Sequence, residues 1–302
     1  MAAGAAFFGA IVWLVMSIPP NQTPAARLAL KDRKIELVDQ MRLALASASE
    51  AEKSAVLATT DEDSQTFAGQ ARAATVSLEQ ERAQLGEIMR ASGSPRENEL
   101  LAEFSKTLAD LERIDHELLG LAVQNTNLKA YRLAFGPAAD ILKEADDALA
   151  HIVQARADSD SPGDKPVILL ADDARISSLR ILALLPPHIA EESDQKMDEM
   201  EARMAREDRA VRKDLADLAA TKGFAEDSDL ATAVARYASF TDLRSQILKL
   251  SRENTNVRSL AISLNEKRKA MFLCQDALSA LEQAIEQEYI AGAADLTPVN
   301  PR

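Results

Sequence analysis

Residues 124–127 read QNTN and interrupt LLGLAVQNTNLKAYRLAF (residues 118–135), where apolar residues otherwise return at helical spacing. Residues 253–256 read ENTN inside ILKLSRENTNVRSLAISL (residues 247–264), at the same point of a similar pattern. A shift of 129 residues carries Asn125, Thr126 and Asn127 onto Asn254, Thr255 and Asn256. Upstream, the same shift lays Leu108, Leu111, Ile114, Leu118 and Leu121 over Tyr237, Phe240, Leu243, Ile247 and Leu250. Steps of three and four residues are those of a helix seam facing a bundle core. Downstream, Asp147, Ala148 and Leu149 fall on Asp276, Ala277 and Leu278. The tetrad is therefore expected at the junction between the third and fourth helices of two duplicated four-helix units, because asparagine tolerates left-handed backbone and caps free amides. Two other readings stand beside it. Within a continuous helix a core-facing asparagine would set register, and the tetrad could instead contact a ligand.

Composition agrees with helices. The 302 residues are 47% hydrophobic but only 4% aromatic, with ten glycines and long Ala/Leu/Glu/Arg-rich runs, so the fold class is all-α. Forty-eight acidic against thirty-five basic residues give a net charge of -13, a field that repels phosphate backbones and argues against nucleic acid as a partner. The single cysteine, Cys274, excludes an intramolecular disulfide and reads as a core thiol beside Met271, Phe272 and Leu273.

Residues 2–18 carry no charge and run apolar up to Pro19-Pro20, long enough at about 26 Å for a transmembrane anchor across a thin bilayer. A cleaved signal peptide would show a basic n-region, which this stretch lacks. Arg27, Lys31, Arg33 and Lys34 come after the run and no basic residue precedes it, which by itself favours a cytoplasmic location for the rest.

Punctuation divides the chain beyond the anchor. Thr60 with Asp63, and Ser94-Pro95 with Glu97, spell helix starts, and Gly93 spells a helix end. Residues 26–158 are expected to form a first antiparallel four-helix bundle and 159–166, rich in Ser, Gly and Pro, a linker. Residues 167–290 form a second, consecutive bundle in this reading, with a break at Pro186-Pro187 and a stop at Lys222-Gly223, and 291–302 a disordered tail. The alternative topology threads the chain through both bundles, as in bimodular helical sensors. Contact between a helix near 30–57 and one near 255–290 would mark that alternative.

The stretch SEAEKSAVLATTDEDSQTFAGQARAA (residues 49–74) resembles the first hairpin of the four-helix-bundle sensor domain of methyl-accepting chemotaxis receptors. DLERIDHELLGLAVQNTNLKAYRLAFGPAADILKEADDAL (residues 110–149) resembles that domain's third and fourth helices, including Gly136-Pro137 before the last. The second half is a weaker version, with Asn265-Glu266 in place of Gly-Pro. The resemblance implies a sensor held in the cytoplasmic membrane with its bundles on the periplasmic side, a location that the basic flank after the anchor contradicts. It also implies a homodimer and, as partners, a small-molecule ligand or a periplasmic binding protein. No HAMP unit or signalling hairpin occurs in this sequence.

Catalytic and metal chemistry find no support. None of His116, His151 and His188 has a glutamate three residues before it, as di-iron bundles need, and neither a CxxCH haem attachment nor a phosphate loop occurs. No cofactor and no enzymatic activity are expected. For a ligand, the residues to name are Asn125, Asn127, Asn254 and Asn256 with the cations near them, Lys129, Arg132, Arg252 and Arg258, which otherwise read as solvated helix-face charges. Met197, Met200 and Met204 at helical spacing read as core. The leading function is a membrane-anchored chemoreceptor-like sensor or interaction module, and the second a structural helical scaffold of the cell envelope.

Overall fold

In the computed structural model, residues 23–157, 163–224 and 226–294 are described, the last three without their side chains. The anchor expected at residues 2–18 lies outside them, as do residues 158–162 of the linker region and 295–302 of the tail. Among the described residues every regular element is helical: α1 (Pro24–Leu57), α2 (Asp61–Ser92), α3 (Pro95–Ala122), α4 (Thr126–Leu133), α5 (Ala139–Ala157), α6 (Asp164–Ala190), α7 (Asp194–Ala220), α8 (Ser228–Glu253), α9 (Thr255–Ile262) and α10 (Arg268–Ala294). A π turn, Ala134–Ala138, joins α4 to α5, and a second, Ser263–Lys267, joins α9 to α10. No described helix is long and apolar enough to cross a membrane.

Local chemistry explains most of the boundaries. Ser94 and Glu97 close a capping box, the Ser94 hydroxyl accepting from Glu97 N at 3.2 Å and the Glu97 carboxylate from Ser94 N at 2.7 Å. A Cβ on Gly93 would lie 2.6 Å from the Met89 carbonyl, so only glycine fits where α2 ends. Gly223 takes φ +90° after α7, a backbone that side chains resist. Asp227 and Ser193 cap α8 and α7 through their side chains.

Three boundaries differ from those expected. Pro186 and Pro187 do not break the chain; α6 carries them inside its closing turns and ends at Ala190. Their ring nitrogens cannot donate to Leu182 and Ala183, a small loss so near a helix end. Lys165 and Pro166, expected as linker, belong to the first turn of α6, where proline needs no amide. Residues 291–294 of the expected tail continue α10.

The larger correction concerns how the helices group. Two compact units form, one from residues 23–58, 62–119 and 262–294, the other from 59–61 and the described part of 120–261. The two bundles are therefore not consecutive. The second unit is an excursion of the chain between α3 and α10, which is the threaded alternative.

In unit 1, α1, α2, α3 and α10 bury Leu37, Met41, Leu78, Leu85, Phe104, Leu108, Leu278 and Leu281 together. Arg42 of α1 pairs with Glu282 while Lys31 lies over the ring of Tyr289, so α1 and α10 run antiparallel side by side. In unit 2, α4–α5, α6, α7 and α8 bury Leu142, Leu149, Ile181, Leu185, Val211, Leu218, Phe240 and Ile247. His151 faces Asp229 and Glu144 faces Arg236, so α5 and α8 are likewise antiparallel. The duplicated seams are both buried, but each packs with the other copy's last helix: Leu108, Leu111 and Ile114 share a core with Leu278, and Tyr237, Phe240 and Ile247 share one with Leu149.

Candidate functional site

Both tetrads lie in unit 2, where the chain enters it and leaves it. Asn125 between α3 and α4 and Asn254 between α8 and α9 have φ of 52° and 53°, the only non-glycine residues of positive φ among those described. Asparagine is among the few side chains that take this left-handed conformation at modest cost. Each tetrad therefore does form a junction between helices. It does not cap its own helix: Asn125 makes no side-chain cap bond to α4.

Capping is instead exchanged between the two junctions. Thr126 N donates to the Thr255 hydroxyl at 3.2 Å and Thr255 N to the Thr126 hydroxyl at 3.1 Å. Asn127 N donates to Asn256 Oδ1 at 3.2 Å, and Asn256 N to Asn127 Oδ1 at 3.1 Å. Next, Asn127 Nδ2 donates to Asn254 Oδ1 at 2.7 Å while Asn256 Nδ2 donates to Asn125 Oδ1 at 3.0 Å. Every bond has its counterpart under exchange of the copies. The first free amides of α4 and α9, which a helix start leaves unpaired, are satisfied by the other helix. The six side chains are neutral and the threonines and Asn125, Asn127 and Asn254 are buried, so leaving any one unmatched would be costly.

The network also reaches two helix–helix turns. Asn125 Nδ2 donates to the Asp61 carboxylate at 3.0 Å, at the α1–α2 turn. This bond is the main reason the Asp61 carboxyl is held below the usual range, with Lys129, 3.3 Å away, assisting. Asn254 Nδ2 donates to the Glu191 carbonyl at 2.9 Å and Asn127 Nδ2 to the Ile189 carbonyl at 2.6 Å, both at the α6–α7 turn. Here the symmetry of the copies ends, with a carboxylate on one side and peptide carbonyls on the other.

The cations singled out from sequence do not converge on an open anion site. Lys129 donates to the Gln124 carbonyl at 2.8 Å and pairs with Asp61; Arg132 donates to the Thr59 carbonyl at 2.6 Å. Arg252 is taken by Asp194, Asp198 and Glu201 of α7. Arg258 sits at an exposed position of α9. Met197 and Met204 are buried and Met200 packs against the same unit 2 core.

Sequence reasoning weighed His188 only as a metal ligand and missed its place in the fold. It is at a helix end but fully buried, its Nδ1 2.8 Å from the Ser251 hydroxyl and its Nε2 2.9 Å from the Glu201 carboxylate. A carboxylate only accepts, so Nε2 carries the proton, while the Ser251 hydroxyl lies against Nδ1 and donates to the His188 carbonyl at 3.1 Å. Burial pushes the imidazole below its usual pKa, against the pull of Glu201, which keeps the ring neutral. The Ser–His–Glu order is that of a hydrolase, but Ser251 and His188 are both wholly buried and no substrate reaches them. Their work is to tie α6, α7 and α8 next to the turn that Asn127 and Asn254 grip. The sequence signal was weak: a histidine after two prolines.

Unit 1 has a charged counterpart. Lys267, which ends the second π turn, pairs with Asp115 of α3. Beside them Glu52 of α1 is fully buried, and neither carboxylate oxygen has a hydrogen-bond partner. Burial drives the Glu52 carboxyl above its usual range, and the nearby charge of Lys267 offsets this only in part. Asp115 is raised for the same reason. Cys274 lies in this core, its thiol pushed up by burial and so unreactive.

No known family model matches the chain, and no curated protein matches it significantly in sequence.

Proposed function

We propose that the chain is a sensor or interaction module of the chemotaxis-receptor kind, without catalytic activity, anchored in the cytoplasmic membrane by residues 2–18 with its bundles outside. The observation that carries this reading is the reciprocal junction. The segment that brings the chain into unit 2 and the segment that takes it out are bonded to each other through Thr126–Thr255 and Asn127–Asn256. A ligand or binding protein that displaces α5 or α8 moves both passages together, by the one or two ångströms typical of helix-shift switches. Because unit 1 contains both the helix before the first passage and the helix after the second, that shift is delivered to α3 and α10 along continuous chain.

Spin labels on exposed positions of α5 and α8 in the full chain, purified in detergent, test this. A panel of small metabolites and envelope extracts should contain something that changes the label distance and raises the melting temperature in the wild type but not in Asn127→Ala. Stabilisation without any change in distance would instead favour the scaffold reading, which has one observation of its own: Leu169, Ile176 and Leu179 of α6 are large, apolar and about half exposed or more.

A further inference from the structure

The hydrogen bonds around His188, at the end of α6, are one proton short. Nε2 lies 2.9 Å from the Glu201 carboxylate and donates to it, while Nδ1 lies 2.8 Å from the Ser251 oxygen, whose own proton goes to the His188 carbonyl 3.1 Å away. A hydroxyl has a single proton to give, so a neutral ring leaves either Nδ1 or that carbonyl without it. Ring and hydroxyl are wholly buried, where an unmet acceptor is costly. A ring protonated on both nitrogens meets every need at these distances: Nε2 donates to Glu201, Nδ1 to Ser251, and the Ser251 hydroxyl to the carbonyl.

The surrounding charges favour such a proton. Glu201 reaches the ring from α7, and Arg252 of α8 shares the same Glu201 oxygen at 2.6 Å while also meeting Asp194 and Asp198, so three carboxylates answer one guanidinium. Glu191, in the α6–α7 turn, directs its carboxylate to the Ser193 amide and to Lys196. From α4 and the junctions come the neutral Asn127 and Asn254 and the Tyr131 hydroxyl, which donates to the Pro186 carbonyl at 3.3 Å. Burial opposes the charge, and more than the pull of Glu201 it sets the ring's pKa, so uptake falls on the acid side of the ordinary histidine range.

The His188 carbonyl also accepts from the Glu191 amide, at a long 3.4 Å, so the Ser251 hydroxyl decides how firmly α6 closes. The carbonyls that follow, of Ile189 and Glu191, are those that accept from Asn127 and Asn254. We infer that His188 is a proton-operated latch on the reciprocal junction: a proton taken up at Nδ1 fixes the Ser251 hydroxyl on the His188 carbonyl and clamps the α6–α7 turn against the two asparagines that hold it. The latch rests on the reading of the paired tetrads as the working site and adds protons as its regulator.

Nitrogen NMR of the full chain in detergent, with 15N-labelled histidine and asparagine and His188→Gln to assign the ring, tests this. On acidification the His188 ring should gain its Nδ1 proton while unit 2 is still folded, and the side-chain amides of Asn127 and Asn254 should shift with the same midpoint. Ser251→Ala should lower that midpoint by about 0.7 pH units, because the imidazolium loses one hydrogen-bond acceptor, and should uncouple both asparagines from it. Glu201→Gln should lower the midpoint as well but leave the asparagines coupled, since Ser251 remains. Unchanged backbone exchange at Ile181 and Phe240 shows that the variants are folded. A ring that stays neutral until unit 2 unfolds, a midpoint that Ser251→Ala leaves unchanged or raises, or asparagine amides that ignore the titration would each overturn the latch. None of these readouts involves a ligand or the label distances between α5 and α8, so the latch and the sensor reading fail separately.

Discussion

The two copies of the duplicated stretch, residues 124–138 and 253–267, have the same backbone and different surroundings. Both begin with a left-handed asparagine, continue as an eight-residue helix and end in a π turn, Ala134–Ala138 in one and Ser263–Lys267 in the other. The first ends on Ala138, wholly buried in an apolar core; the second ends on Lys267, buried with Asp115 and the unpartnered Glu52. Common geometry over unlike chemistry places its cause in what the copies share, the paired tetrads. The segments beyond the tetrads were free to diverge, one copy toward packing and the other toward buried charge.

Removing Lys267 should do the most damage. Lys267→Met leaves Asp115 and Glu52 as two buried carboxyl groups without a cation, and a broken buried pair typically costs about 3–5 kcal/mol. Urea unfolding combined with hydrogen exchange in α3 and α10 measures it. A loss under about 1 kcal/mol would mean that the charged copy leans on its charges no more than the apolar one.

Breaking the shared part comes next. The Asn127 side chain accepts one bond and donates two, whereas that of Asn256 accepts one and donates one. Asn127→Ala should therefore cost about 2–4 kcal/mol, since it strands several buried groups, and Asn256→Ala somewhat less. The double variant should cost clearly less than the sum, because both changes break the same reciprocal pair. Additive losses would show that the two junctions act independently.

The junction itself was legible in the sequence, since few residues besides asparagine accept left-handed backbone, and a repeat of Asn-Thr-Asn within an apolar pattern is hard to explain otherwise. Its partner was not legible. Reciprocity between Thr126 and Thr255 depends on which helices meet, and periodicity gives each helix a buried face without saying whose face it meets. The same gap lies behind the consecutive-bundle expectation: the seams at Leu108–Leu118 and Tyr237–Ile247 are legible as buried faces, while the helices that cover them are not. Glu52 escaped for another reason, because in SEAEKSAV it looks like any solvated helix-face glutamate.

The two units should also answer pH with opposite sign. His188 in unit 2 is held neutral by burial, with a folded pKa below the unfolded value of about 6.5. Below that value the unfolded chain binds more protons, so unit 2 loses stability as pH falls from 7 to 5. Glu52 in unit 1 has a folded pKa above the unfolded value of about 4.3. Its favourable contribution is complete below that value and is lost as pH rises through the folded pKa, so at neutral pH it weakens unit 1. Glu52→Gln should raise unit 1 stability at pH 7 by about 1 kcal/mol and have little effect at pH 4. His188→Gln should flatten the acid-side slope in unit 2 alone. Hydrogen exchange resolved by helix separates the two responses, and parallel slopes would contradict both assignments.

The smallest effect is expected at Pro137, inside the first π turn. Proline lacks the amide that would bond the Leu133 carbonyl, and such a gap is a familiar origin of helix irregularity. If it were the origin here, Pro137→Ala would let α4 run straight into α5, and the loss of one extra residue per turn would rotate the next face by about 100°. Leu142, Leu149 and Ile152 would leave the core. The second copy speaks against this, because its π turn forms over Ser263, Leu264, Asn265, Glu266 and Lys267 with no proline at all. Both turns come after a helix whose first residues are fixed by the opposite tetrad, so the phase mismatch between that fixed start and the buried face beyond it is what the extra residue absorbs. Pro137→Ala should then change stability by less than about 1 kcal/mol, and the carbonyl shifts and exchange pattern of residues 133–139 should still report a π turn. A regular α-helix there, with a shift in unit 2 stability of several kcal/mol, would mean that the two copies reach the same backbone for different reasons.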